Sequence, residues 1–373
     1  MKSHPMDDAR LWAVVAPGTG LHRPTGDPVI ELRTHDNIPA TDSDVAWEDL
    51  LADDPSATVF HSPRYLRLWH ETLGQRFPIR VHTFHQGDEL VGVIADANDR
   101  AGGPVRPLEL RRFLGGTEVT DYLGPIARPE HRADVADAYL RNLAADVDWD
   151  EFIAGGLIDD AGWADEIRRS AEMVGLEVLH EEVEAVCPRV DLTGGLTAYH
   201  KRLSGRVRQE MQRKQRKLAR DVGELTLIEV AADDVEAELD RFFEQALASF
   251  PEKASFFRRD EIRAWFSALG REFAGERTFR LHRLDAGGLP AAMTVSLVGQ
   301  GEWGLYNSSF DVDIAAFAPG QVLIWMLIEE ACDEDIEVFD LLRGDEAYKY
   351  RYGAVDRKLD RLVIGRPDQA ELE

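Results

Sequence analysis

The chain has 373 residues, 44% of them hydrophobic, and a formal net charge of −26. That length suits two domains better than one, no run of about 18 apolar residues marks a membrane span, and the acidic balance disfavours DNA as a partner. The start MKSHPMDDARLW lacks a charged-then-apolar leader pattern, and two cysteines, Cys187 and Cys332, fit a reducing cytoplasmic setting. The 11 histidines show no ligand spacing, so no metal site is expected.

Residues 1–40 are rich in Pro, Gly, Asp and His and read as a loose arm. Gly18-Thr19-Gly20 is no dinucleotide loop, since no strand precedes it and no helix follows. Residues 41–187 read as a first α/β unit. Trp47, Leu50 and Leu51 fall on a short helix after Thr41 or Ser43, and Ser62-Pro63 opens another. Ile79–Phe84 and Leu90–Ile94 form a hairpin around Gln86-Gly87-Asp88. A strand near Phe113 and a polar turn at Asp121-Tyr122-Leu123 precede a helix over 130–146. Strands follow at Phe152–Ala154 and Leu176–Val183.

Residues 188–373 read as a second unit. Arg189–Leu192 is a strand, and Tyr199–Val222 a helix with an apolar stripe of Leu203, Val207, Met211, Leu218 and Val222. Between Lys201 and Arg220 it carries nine basic residues and one acid, Glu210. The face suits an anion such as a phosphorylated substrate, with Arg206 turned toward it and Arg213 beside it; a solvated face paired with acidic neighbours is the alternative. No aromatic residues interleave with these charges, so a base-stacking platform for RNA is not visible. Helices over 233–249 and 259–272 and strands near 277–284, 290–298 and 302–309 come next. Pro319-Gly320-Gln321 then opens a helix whose free N–H groups and dipole can hold a phosphate. The strand Glu337–Leu342 delivers Asp340, Arg343, Glu346, Tyr348 and Lys349 to one sheet edge.

The ordered set of Pro319-Gly320, Phe339-Asp340, Gly344 and Glu346-x-Tyr348-Lys349 resembles the C-terminal half of a GNAT acyltransferase. More narrowly, it resembles the CelD-like branch linked to cellulose and exopolysaccharide synthesis, related to the FemABX peptidyltransferases. Phe-Asp stands where that branch more often has Asp-Phe. Ser62-Pro63 and the turn Gly116–Tyr122 extend the resemblance over roughly residues 45–355. It implies two tandem GNAT-like α/β domains, each a mixed, mostly antiparallel sheet flanked by helices. It also implies an N-acyltransferase that moves an acyl group from acyl-CoA to an amino sugar or amino-acid-like amine. The alternatives are an aminoacyl-tRNA-dependent transferase of FemABX type and a non-catalytic scaffold in polysaccharide synthesis.

Under that resemblance Pro319, Gly320 and Gln321 hold the pyrophosphate of the donor. A backbone N–H near Tyr306–Ser308 polarises the carbonyl. Asp340, Glu346 or Asp311 serves as base, and Tyr306 or Tyr348 as acid. Arg206, Arg213, Arg343, Lys349, Asp121 and Tyr122 face the acceptor, a small molecule or cell-envelope precursor.

Overall fold

The computed structural model describes residues 30–39, 44–102, 107–116, 118–249 and 251–367. Gly18-Thr19-Gly20, Thr41, Ser43 and Thr117 lie outside the described residues. Alternating apolar residues build one continuous sheet of 13 strands. The first half contributes β1 (Ile30–His35), β2 (Ile79–Gln86), β3 (Glu89–Ala101), β4 (Leu108–Phe113), the two-residue β5 (Ile126–Ala127), β6 (Glu151–Ile158) and β7 (Glu177–Asp191). The second contributes β8 (Leu225–Glu229), β9 (Phe279–Ala286), β10 (Leu289–Gly299), β11 (Glu302–Phe310), β12 (Val338–Asp340) and β13 (Val355–Gly365).

The strand order is β1-β2-β3-β4-β6-β13-β7-β12-β11-β10-β9-β8. Read from either end, it is the same plan. Four antiparallel strands are followed by one parallel strand, β6 beside β4 and β12 beside β11. The last strand of each half then crosses over. β7 pairs with β12 of the second half, β13 pairs with β6 of the first, and β7 and β13 pair with each other at the centre. The fold is thus two tandem GNAT-like α/β units joined by exchanged strands.

The expected division between residues 187 and 188 falls inside β7, where Pro188 sits opposite Asp356. The loose arm expected over 1–40 is corrected at its described end, because Ile30–His35 pairs with β2 along six residues. β8 and β13 were not read from the sequence; β13 carries five charged residues in Val355–Arg361, which hid its alternation.

Among the described residues, helices α1 (Asp44–Asp53), α2 (Pro63–Trp69), α3 (Arg132–Ala145) and α4 (Trp163–Met173) belong to the first half. Helices α5 (Gly195–Arg202), α6 (Gly205–Asp221), α7 (Val235–Ala248), α8 (Pro251–Phe257), α9 (Asp260–Phe273) and α10 (Pro319–Asp333) belong to the second. The single basic helix expected over 199–222 is two. It breaks at Leu203-Ser204, where the extended Ser204 caps α6 by accepting from Val207 N. On β10, Met293, Val295 and Leu297 join the core beneath α7 and α9, whereas Ala292 joins the core with α10 and the stripe residues Leu203, Met211 and Leu218. No helix among the described residues is long and apolar enough to cross a membrane. Cys187 and Cys332 are both free and buried.

Candidate active site

The parallel pair β11–β12 opens into a wedge. Its register runs from Glu302↔Val338 to Gly304↔Asp340 and stops there, while β11 continues to Phe310. Two backbone features force the parting. In β11, Val295 pairs with Asn307 and Leu297 with Gly304, so Leu305 and Tyr306 together face Ser296 in a bulge. After β12 the chain turns at Leu342, whose φ of 54° is unusual for a branched side chain, and again at Gly344 (φ 114°). Within the wedge the backbone of Ser308 bonds to side chains. Its N–H donates to Asn307 Oδ1 (2.9 Å) and its carbonyl accepts from Lys253 Nζ on α8. A ligand carbonyl can replace the first partner and a ligand N–H the second.

The first half reaches into this opening. Asp121 Oδ1 accepts from Arg343 N (3.3 Å), and the Asp121 carbonyl accepts from Arg343 Nε (2.9 Å). The Asp121 charge also acts on Tyr306 in β11. Burial raises its carboxyl to about 6, and the guanidinium of Arg343 only partly offsets that. The neighbouring Tyr122 hydroxyl donates to Asp340 Oδ2 (2.5 Å). Asp340 Oδ1 accepts from Leu342 N (2.7 Å), and Arg189 Nε lies 3.5 Å from Oδ2.

Asp340 is therefore not the cleft-facing carboxylate expected from its place at a strand end. It is 1% exposed, both oxygens are committed, and burial raises its carboxyl. It joins the two halves and fixes the turn that opens the wedge. Tyr122→Phe would leave Oδ2 short of its donor, at about 1–3 kcal/mol of stability. Urea unfolding of that variant checks this; an unchanged midpoint would remove Tyr122–Asp340 from the fold's support.

A helix opens at Pro319 as expected, but the Gln321 N–H is not free. Ala318, with φ 54°, turns the chain into α10 at Pro319. Gln321 and Val322 N–H groups both donate to the Ala318 carbonyl (3.1 and 3.2 Å). A Cβ on Gly320 would meet only Phe310, at ordinary contact distance (3.7 Å). Basic groups gather here. Lys214 Nζ and Arg351 Nη1 donate to Gln321 Oε1 (2.5 and 3.0 Å), and Lys217 lies over the Phe317 ring (4.8 Å). Burial and the nearby guanidinium of Arg351 lower the Lys214 ammonium from its ordinary value. Tertiary folding thus unites the two anion-compatible features of the sequence, but through Lys214 and Lys217, while Arg206 and Arg213 lie exposed on α6.

Other expected site residues have different duties. Lys349 is 3% exposed and donates to the carbonyls of Leu342 (3.0 Å), Arg343 (2.7 Å) and Gly344 (3.1 Å). It clamps the turn instead of facing an acceptor. Tyr306 donates to the Val119 carbonyl (2.6 Å) and accepts from Trp265 Nε1 (2.8 Å), so its hydroxyl is engaged between the halves. Burial pushes the Tyr348 phenol up to about 12, which keeps it protonated. Asp311 caps a 3-10 turn through Asp313 N (2.9 Å). Glu346 stays largely exposed beside Lys349 (3.0 Å).

Lys253 was missed by sequence reasoning. Burial lowers its ammonium to about 8. Its scarcity was a usable signal, since it is one of seven lysines against 36 arginines.

Residues 205–350 match the family described as the acetyltransferase (GNAT) domain. The matched GNAT acetyltransferase domain holds α6, the wedge, the start of α10 and Lys349. Among solved structures it is similar to FemX, with a TM-score of 0.60 and 8% identity over 85% of this chain and 95% of that one. It is also similar to a conserved protein of unknown function from Bacteroides thetaiotaomicron VPI-5482. There the TM-score is 0.58, with 11% identity over 90% of this chain and all of that one (100%). At such identities the likeness is one of fold. No curated protein matches the sequence.

Proposed function

We propose that the protein moves an acyl group from acyl-CoA to the amine of an amino sugar or amino-acid-like acceptor, as a cytoplasmic enzyme of CelD-like type. The observation that carries this reading is the β11–β12 wedge with Asp121 at its mouth and the basic start of α10 in the same domain. The donor's pyrophosphate lies at Gly320, held by Lys214 and Arg351 once their bonds to Gln321 are exchanged. The Ser308 N–H takes the thioester carbonyl in place of Asn307 Oδ1. Asp121, ionised above about pH 6, accepts the proton of the attacking amine. Lys253, protonated below about pH 8, returns a proton to the leaving thiolate.

For the acceptor, support comes from a cavity of about 570 Å³ lined by Arg189, Arg202, Arg357, Asp160 and Asp356. Arg189 both lines it and touches Asp340. The mixture of guanidinium and carboxylate suits a molecule bearing both an anionic group and an amine.

Calorimetry with acetyl-CoA, longer acyl-CoAs, free CoA and tRNA tests the donor. Binding confined to the CoA compounds is expected. Lys214→Ala and Arg351→Ala should each weaken it about 10- to 100-fold, the range of charge-assisted hydrogen bonds. Gly320→Glu, which the open space at that residue tolerates, should weaken it at least as much while leaving unfolding unchanged. Binding of tRNA alone would favour the FemABX-type donor, and no binding of either would favour a scaffold.

A further inference from the structure

A second polar centre lies away from the wedge, under the C-terminal half of α10. His282 on β9 is fully buried, and neither ring nitrogen has a hydrogen-bond partner. One face of its ring is covered by Trp303, with centroids 5.4 Å apart. Its cross-strand neighbour on one side is Glu229 of β8. On the other it is Thr294 of β10, whose buried hydroxyl is also unpartnered. Glu330 reaches down from α10 to 3.6 Å from Nε2, too long for a hydrogen bond. One ligand atom from each of Glu229, His282 and Glu330 lies within 4.8 Å of the others.

We propose that these three side chains bind a divalent transition ion of the zinc class, which ties β8 and β9 to α10. One imidazole nitrogen and two carboxylates are a donor set zinc accepts, and the fourth position is left to water. Bonds of about 2.0–2.2 Å require the ligands to close by about an ångström, within the reach of side-chain rotation for Glu229 and Glu330. The buried His282 needs such a partner because an imidazole with two unmade hydrogen bonds is costly in a dry interior. The surrounding charge permits a cation. Arg277 binds both oxygens of Glu229, but Arg277 and Arg280 also share Glu334, so three carboxylates face two guanidiniums. The ligands stand on three separate elements and are 48 or more residues apart from one another, which is why no spacing in the sequence announces them.

The test uses the whole chain after treatment with a chelator, titrated with Co²⁺ and followed by d–d absorption, then with Zn²⁺ in competition. One equivalent of Co²⁺ should bind with the absorption of a four- or five-coordinate site. His282→Ala and Glu330→Gln should each lower the affinity tenfold or more, and Zn²⁺ should raise the melting temperature of the wild type but of neither variant. Glu330 is partly exposed on a helix, so its variant decides the matter if His282→Ala fails to fold. Absence of saturable Co²⁺ binding by the folded protein, or affinity unchanged in Glu330→Gln, overturns the proposal.

Discussion

Replacing Asp121 by Asn is expected to lower kcat about 10²- to 10⁴-fold while leaving donor affinity unchanged, the loss typical of a positioned base. The residue comes from the first half, yet it is anchored to Arg343 at the wedge of the second. Burial raises its carboxyl to about 6, so at neutral pH it is ionised yet basic enough to take a proton. The sign for activity follows directly. The protonated acid is inert, so kcat/KM should rise as pH passes upward through about 6 and level off above it. In the Asn variant that limb should vanish, and the remaining activity should be flat across the same range. Asp340→Asn should behave differently, lowering stability through Tyr122, Leu342 and Arg189 before it touches the pH profile. Steady-state kinetics from pH 5 to 8 separate the two. A wild-type rate and an intact limb in folded Asp121→Asn would move the base elsewhere, with Glu346 next.

Lys349→Met is expected to destabilise the fold by about 3–5 kcal/mol, a large share of the stability of an ordinary domain. The methionine keeps the apolar stem but withdraws three donors. The carbonyls of Leu342, Arg343 and Gly344 then lose their partner in a turn that already holds Leu342 and Gly344 at positive φ. The ion pair with the exposed Glu346 contributes little by comparison. Because the same turn opens the wedge, donor affinity should fall together with the midpoint of chemical unfolding. Arginine should not rescue, since its planar fork cannot meet three convergent carbonyls as an ammonium does. If Lys349→Met unfolds like the wild type, the turn is held by other means and the lysine is free to serve a ligand.

The sequence by itself determined most of the local elements and their order, with β1, β8, β13 and the break between α5 and α6 as exceptions. The hairpin of β2–β3, the strands β9 and β10, the helix opened by Ser62-Pro63 and the helix opened by Pro319-Gly320 are set by period-two alternation, by capping chemistry and by the fixed φ of proline. The family likeness was legible for the same reason, since Phe339-Asp340, Gly344 and Lys349 shape one turn from residues close in the chain. The exchange of β7 and β13 was not legible. Alternation records that a strand is half-buried and leaves its neighbour unnamed, so Pro188 read as a beginning although it lies within a strand of 15 residues.

The duties of the polar residues were likewise settled by tertiary packing. Asp340 and Asp121 are both aspartates near a turn, but Tyr122, 218 residues away, claims one as structural and leaves the other at the wedge. On α6 the choice of Lys214 and Lys217 over Arg206 and Arg213 depends on which face of the helix meets the start of α10. Helical periodicity gives the faces; only the packing of Met211 and Leu218 into the α10 core fixes how far the helix is rotated. The His282 cluster is the extreme case. Strand pairing and the crossing of α10 bring its three members together, and charge and solvation act through space without regard to distance along the chain.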